Sequence, residues 1–200
     1  MDVNDAVRRE RARPLAPADR REAIIAATRP LLYQHGRDTT TKLIAEAAGI
    51  AEGTIFRSFS TKDELFDAVL EREFDPEAFL TRVTEIDPAL PLRDRLVAYV
   101  ELLQQRFFGI FRLMAAMGMP KPPAKFQDEK VRRRLHDHGL ATVVRDDADR
   151  LTLPVDRFAE LVRGLTFAAS HPHLTEQSPL TPEEIVDVIL HGVLKPGSDA

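Results

Sequence analysis

Between Thr39 and Leu65 the chain carries two short apolar helical faces separated by a glycine turn, and this stretch constrains its fold most. Leu43, Ile44, Ala47 and Ala48 recur at the spacing of one helix face. Gly49 breaks that face, and Ile55, Phe56 and Phe59 begin a second one. Two short helices joined by a turn of about four residues around a Gly match the helix-turn-helix of DNA-binding proteins. A further helix is predicted from Ser60-Thr61, where Ser60 with Asp63 and Thr61 with Glu64 each have the spacing of a capping box. An ordinary helical hairpin in an all-α core would carry the same pattern.

The order of the residues adds to this. Tyr33, Gly36, Thr39 to Thr41, Ile44-Ala45, Ala48-Gly49-Ile50, Gly53-Thr54, Phe56, Phe59 and Lys62 follow one another over about residues 20 to 72. In order and spacing the stretch resembles the N-terminal DNA-binding domain of the TetR family of transcriptional regulators. The resemblance implies an all-α fold in two parts. A helix-turn-helix domain over 19–73, with its fourth helix as linker, is followed by a ligand-binding and dimerisation domain over 74–196. Residues 1–18 read as a flexible basic tail, in which Arg8, Arg9, Arg11 and Arg13 could touch phosphate or the minor groove. Residues 197–200 read as a second tail.

A net charge of −4 looks wrong for a nucleic-acid binder, but its distribution matters more. Residues 1–62 carry 11 Lys/Arg against 8 Asp/Glu, a balance of +3, while the rest carries −7. A basic head on an acidic body orients a protein on DNA and discourages binding elsewhere. No cysteine is present, which excludes disulfides, thiolate metal sites and cysteine nucleophiles. With no run of 18 apolar residues and no signal peptide, neither a membrane span nor export is indicated, and a cytoplasmic protein is expected.

The first helix is expected from Pro17 or Asp19 to His35, with a kink at Pro30, where a backbone donor is missing. In the second helix Thr40 or Thr41 is the cap, and Thr41 and Lys42 face phosphates. The recognition helix, about Glu52 to Phe59, turns Glu52, Gly53, Thr54, Arg57 and Ser58 outward while Ile55 and Phe59 pack inward. Arg57 is its only side chain able to grip guanine with two bonds. Glu52 either accepts from cytosine or caps the helix, the second being favoured. The stretch departs from the family pattern at Ala51, where a capping Ser is common, at Phe56 in place of Tyr, and at Ser58 in place of His. Those departures put some phosphate contacts in doubt. Lys62 matches the family's phosphate-binding Lys. The expected DNA-contacting set is therefore Thr40, Thr41, Lys42, Glu52, Gly53, Thr54, Phe56, Arg57, Ser58 and Lys62.

After Pro76 only periodicity guides the reading. Helices are predicted over 77–86, from Leu92 to Phe107 with an interruption at Gly109, over 131–150, from Phe158 to Ala169, and from Pro182 onward. Thr181-Pro182-Glu183-Glu184 supplies an N-cap, an N1 proline and an N3 glutamate in one run. Tyr99, Leu103, Phe107, Phe108, Phe111, Met114, Met117, Phe126 and Phe167 are candidate lining for a small apolar or aromatic effector, since Met and aromatic side chains suit adaptable pockets. Gln104, Gln105, Arg106 and Arg112 are the polar candidates beside them. Phe158, Leu161, Leu165, Ala168, Ile185, Ile189, Gly192 and Val193 are candidates for a four-helix homodimer interface, which a palindromic operator requires.

His136 and His138 point apart on a helix, and only the loop pair His171/His173 has spacing for a shared metal, so neither metal nor cofactor is expected. These observations point to a ligand-responsive regulator, most readily a repressor. The rivals are a ligand-independent DNA-binding protein and a small helical enzyme acting through His136, Asp137 and His138.

Overall fold

The computed structural model describes residues 16–123, 131, 134–175 and 178–193, with backbone alone at 136, 137, 192 and 193. The arginine tail before residue 16, Phe126, all but the backbone of Gly192 and Val193, and the tail from 194 lie outside the described residues. Apart from an isolated bridge residue at Leu151, every regular element described is helical, and the fold is all-α. The helices are α1 (Pro17–His35), α2 (Thr41–Ala48), α3 (Glu52–Ser58), α4 (Lys62–Phe74), α5 (Glu77–Thr84), α6 (Leu92–Ala116), α7 (Val155–Ser170) and α8 (Pro182–Val193). The described residues fall into two compact units, one of 16–31 with 38–69, the other of 32–37 with those from 70 to 193. The chain passes between them within α1, again after Arg37, and within α4.

In the first unit α1 buries Ile24, Ile25 and Thr28, and the Thr28 hydroxyl donates to the Ile24 carbonyl at 2.7 Å. The helix is continuous through Pro30. Pro30 and Ala26 are both exposed, so water can take the carbonyl that the proline leaves without a donor. On α2 the buried side chains are Ile44 and Ala45, whereas Leu43 is 37% exposed and Ala47 is exposed. The inner face is thus narrower than the apolar pattern implied.

The second unit is built on α6, whose 25 residues run unbroken through Gly109. The expected interruption is absent because this glycine serves close approach. A Cβ there would stand 2.3 Å from a Glu73 carboxylate oxygen, and the Tyr33 hydroxyl donates to the Gly109 carbonyl at 3.4 Å. Phe79, Leu80 and Val83 of α5 share a core with Leu96, Tyr99, Val100 and Leu103 of α6, Phe158 and Val162 of α7, and Ile185, Val186 and Ile189 of α8. Arg93 grips Asp187 through two bonds of 2.8 and 3.0 Å, fixing α6 to α8. The Thr181–Glu184 capping box forms reciprocally, with bonds of 2.8 and 3.2 Å.

The helix expected over 131–150 is instead a succession of a π turn (His136–Leu140), one α turn (Ala141–Val143) and a 3-10 stretch (Arg145–Arg150). Gly139 leaves helical geometry, at φ −95 and ψ −108, and a Cβ on it would lie 3.3 Å from the Tyr99 hydroxyl. Arg95 anchors the far end of this segment. Its guanidinium donates to the Val143 carbonyl at 2.5 Å and to Asp147, which also accepts from Arg150 at 2.7 Å. Arg95 is 6% exposed, and its Nε has no acceptor among the described residues.

Candidate nucleic-acid interface

Each short helix of the first unit is defined by groups at its ends. Thr40, in extended conformation, caps α2 by accepting from the Leu43 N–H at 3.2 Å. Gly49, at φ +64, closes it. The Gly49 and Ile50 amides donate back to the Glu46 and Ala45 carbonyls, the two bonds of a Schellman motif. At the start of α4, Thr61 Oγ1 accepts from the Glu64 N–H at 3.1 Å, while the Glu64 carboxylate accepts from the Ser60 N–H at 2.7 Å. The two overlapping capping boxes of the sequence merge into one. The Ser60 bond, opposed by partial burial and aided by Arg21, holds the Glu64 carboxyl below its usual range.

Helix α3 differs, because Ala51 occupies its N-cap and supplies no side-chain acceptor. Nor does Glu52 cap it, contrary to the favoured expectation. Its carboxylate accepts the Thr41 hydroxyl and so ties the first turn of α3 to the first turn of α2. The other end of α3 is clamped from α1. Arg21 donates to the Ser58 carbonyl at 2.6 Å, pairs with Glu64 at 3.3 Å, and lies 4.0 Å from the centre of the Phe59 ring. Nothing local in the sequence singles out Arg21, whose partners are 37 and 43 residues away.

The predicted DNA-contacting residues divide accordingly. Thr40, Lys42, Glu52, Gly53, Phe56 and Arg57 are exposed, and Thr41, Thr54, Ser58 and Lys62 are half-buried. Phe56 is 51% exposed, while Ile55 and Phe59 are fully buried beneath it. The Lys62 ammonium donates to the Thr39 carbonyl at 3.3 Å and lies 5.2 Å from the Phe66 ring, so a phosphate contact has to share it with that carbonyl.

The other two predicted sites fall in the second unit. Tyr99 and Leu103 are core residues, Tyr99 edge-on to Phe79 at 5.6 Å, and burial pushes its hydroxyl well above the ordinary tyrosine range. Phe107, packed against that core, joins Phe111, Phe167 and His171 in a ring cluster with centroids 4.7–5.9 Å apart. Phe108 and Met114 are half-buried, and Met117 lines an open cleft with Arg37 and the Pro120–Pro123 loop.

The polar candidates near the lining serve structure instead. Gln104 donates to Ser170 and to the Leu180 carbonyl, Gln105 pairs with Arg82 and Glu101, Arg106 donates to the Phe74 and Asp75 carbonyls, and Arg112 covers the Tyr33 ring. Nδ1 of His171, offered by the sequence as a metal ligand, accepts from the His173 N–H at 3.3 Å.

The predicted interface residues Phe158, Ile185 and Ile189 also need correction. They are 0–3% exposed in the protomer's own core and cannot face a partner. Among the described residues, the large apolar side chains that α7 and α8 leave exposed are Leu161, Phe167 and Val188, at 41, 40 and 59%. The stripe was misassigned because both helices carry apolar residues on two faces, and the sequence does not say which one the protomer covers.

Residues 24–69 match the model of the tetR family of bacterial regulatory proteins. The uncharacterized HTH-type transcriptional regulator YvkB of Bacillus subtilis is 39% identical over 115 residues, 57% of each chain. The nucleoid occlusion factor SlmA of Vibrio vulnificus is 29% identical over 126 residues, 60% of each. The chain thus spans under two thirds of the length of these curated relatives. Among solved structures, the reduced form of Escherichia coli NemR superposes with a TM-score of 0.66 over 90% of this chain and 100% of that one, at 19% identity, which establishes likeness of fold. Family model, capped helix-turn-helix and all-helical body agree: residues 24–69 form a helix-turn-helix domain of the tetR type, and the chain as a whole has the fold of solved TetR-like structures.

Proposed function

We propose that the chain is a homodimeric cytoplasmic repressor whose two α3 helices read adjacent major grooves of a palindromic operator, and that a small apolar or aromatic effector releases it. The outward side of α3 carries this reading. It presents Arg57, exposed and without an ion-pair partner among the described residues, on a helix braced at one end by Thr41 and at the other by Arg21. Leu161 and Val188, too exposed to contribute to the protomer's core, support pairing of α7 and α8 with a second copy. The Phe107–Phe111–Phe167 cluster supports an apolar effector class. Such an effector shifts the protein between states only by its difference in affinity for them.

The test is titration of the intergenic DNA beside the gene with wild type and Arg57→Ala at fixed salt, against unrelated competitor DNA. Tight binding that survives competitor and weakens by about 1–3 kcal/mol in the variant is the expected result. Equal weak binding to both DNAs counts against operator reading at this promoter.

A second reading, a DNA-binding protein with no effector, draws on the likeness to a nucleoid occlusion factor. Specific binding that no apolar compound relieves would favour it.

A further inference from the structure

We propose that Phe56 reads a thymine, through apolar contact of its ring with the 5-methyl group in the major groove. The inference rests on the operator-reading role of α3 and adds which base, and which chemistry, its most exposed apolar side chain selects. A helix turns about 100° per residue, so Glu52, Phe56, Gly53 and Arg57 follow one another round an arc of about 140° that starts about 60° from the inward Ile55. Phe59, in extended backbone just past the end of α3, turns inward beside Ile55. Burial agrees with this geometry, since Ile55 and Phe59 are 0–1% exposed and all four residues of the arc are exposed.

Within the arc Glu52 is committed to the Thr41 hydroxyl. Gly53 offers bare backbone, and a Cβ built on it meets no heavy atom within 4 Å. The centre of the reading face is therefore a phenyl ring beside a position with no side chain, flanked by the Arg57 guanidinium.

That ring has neither donor nor acceptor, so it can bind neither a phosphate oxygen nor a hydrogen-bonding base edge. The apolar group that base pairs present in the major groove is the thymine methyl. A half-exposed aromatic at the centre of a DNA-reading face gains by covering it.

The experiment selects binding sites from a random duplex pool with the full-length wild-type chain. Each thymine of the selected site is then replaced by deoxyuridine, which removes the methyl and nothing else. Wild type is expected to lose about fourfold in affinity at one thymine position per half-site, the worth of one buried methyl. Phe56→Ala, whose melting temperature checks that an exposed position leaves the fold intact, should bind the thymine site more weakly and show no deoxyuridine effect at that position. Phe56→Leu, which keeps an apolar side chain, should restore part of the discrimination.

The proposal is overturned if no thymine in the selected site is sensitive to the exchange. It is equally overturned if the loss persists undiminished in Phe56→Ala, which would assign the methyl to another residue or Phe56 to the sugar–phosphate backbone. A wild type that selects no sequence at all removes the operator-reading role itself, and the Phe56 assignment with it. A selected operator indifferent to deoxyuridine removes only the latter.

Discussion

In the first unit α2, α3 and α4 are 8, 7 and 13 residues long, and their termini carry the Thr40 cap, the Gly49 close and the Thr61–Glu64 box. In the second, α6 alone has 25 residues and is held along its sides by Phe79, Phe158 and Ile185 and by the Arg93–Asp187 fork. Helices shorter than about 12–15 residues are marginal by themselves, so their end groups and tertiary braces decide whether they form. A long helix already has its internal bonds and is positioned by what lies against it. The first unit should therefore respond to changes at helix ends, and the second to changes in side-on packing.

The largest expected effect lies in the body, at Gly36→Ala. Gly36 sits at φ +54, and a Cβ there would stand 2.0 Å from the Ala116 carbonyl oxygen. Left-handed strain and overpacking each cost about 1–3 kcal/mol, and here they add. Urea unfolding should lose about 4 kcal/mol, and a loss under 1 kcal/mol would show that the turn against α6 is not tight.

Next is Arg95→Ala, which strips donors from the Val143 carbonyl and from Asp147. Removing one member of a buried ion pair costs about 3 kcal/mol. Burial alone would raise the Asp147 carboxyl, but bonds from Arg150 and Arg95 outweigh it and hold it below its ordinary value. A depressed folded value means that its contribution is complete above the unfolded carboxylate range, near pH 4, and is lost as the pH falls through the folded value. Wild type should lose stability on acidification below about pH 4, followed by circular dichroism, and the variant should lose less over the same interval. Parallel acid limbs in the two proteins would remove Asp147 from the account.

Gly109 and Arg95 were the least legible positions in the sequence. Thr40, Gly49, Thr61 and the Thr181–Glu184 box announce themselves because each acts on backbone within five residues of it, and the helix-turn-helix could be read directly. Gly109 looked like a break and proved to be a place where Tyr33 and Glu73 come close, partners that no local window contains. Arg95 has partners 48 and 52 residues on, beyond the reach of any local pattern. The same limit hid Arg21 behind α3 and placed Phe158, Ile185 and Ile189 on the wrong face. Apolar periodicity identifies a side that wants covering, and only packing says whether the chain itself covers it.

Gly49→Ala tests the head with the same substitution made at Gly36. Here φ is +64, but a Cβ would meet nothing within 4 Å. Only the left-handed strain remains, about 1–2 kcal/mol. A loss as large as that of Gly36→Ala would mean that the turn is packed and not merely shaped. Equal losses at the two glycines would erase the distinction between a unit held by its helix ends and one held along its sides.

Ala51→Ser is the smallest change and the most direct test of that distinction. Ala51 already has the extended backbone of an N-cap, φ −72 and ψ 141, and the Thr54 N–H already donates to its carbonyl at 2.8 Å. What α3 lacks is a side-chain acceptor for its next free amide. A serine hydroxyl at that position can accept without moving the backbone, which typically stabilises by about 1 kcal/mol. Hydrogen exchange should register the gain as added protection in the first turn of α3. If α3 is limited by its N-terminus, stability rises and the exposed side of the recognition helix is held more firmly. If Arg21 at the C-terminal end and the Glu52–Thr41 bond already fix the helix, the serine adds nothing measurable. The burden of holding the reading face would then lie on those two long-range contacts, and Arg21→Ala would be the substitution that loosens it.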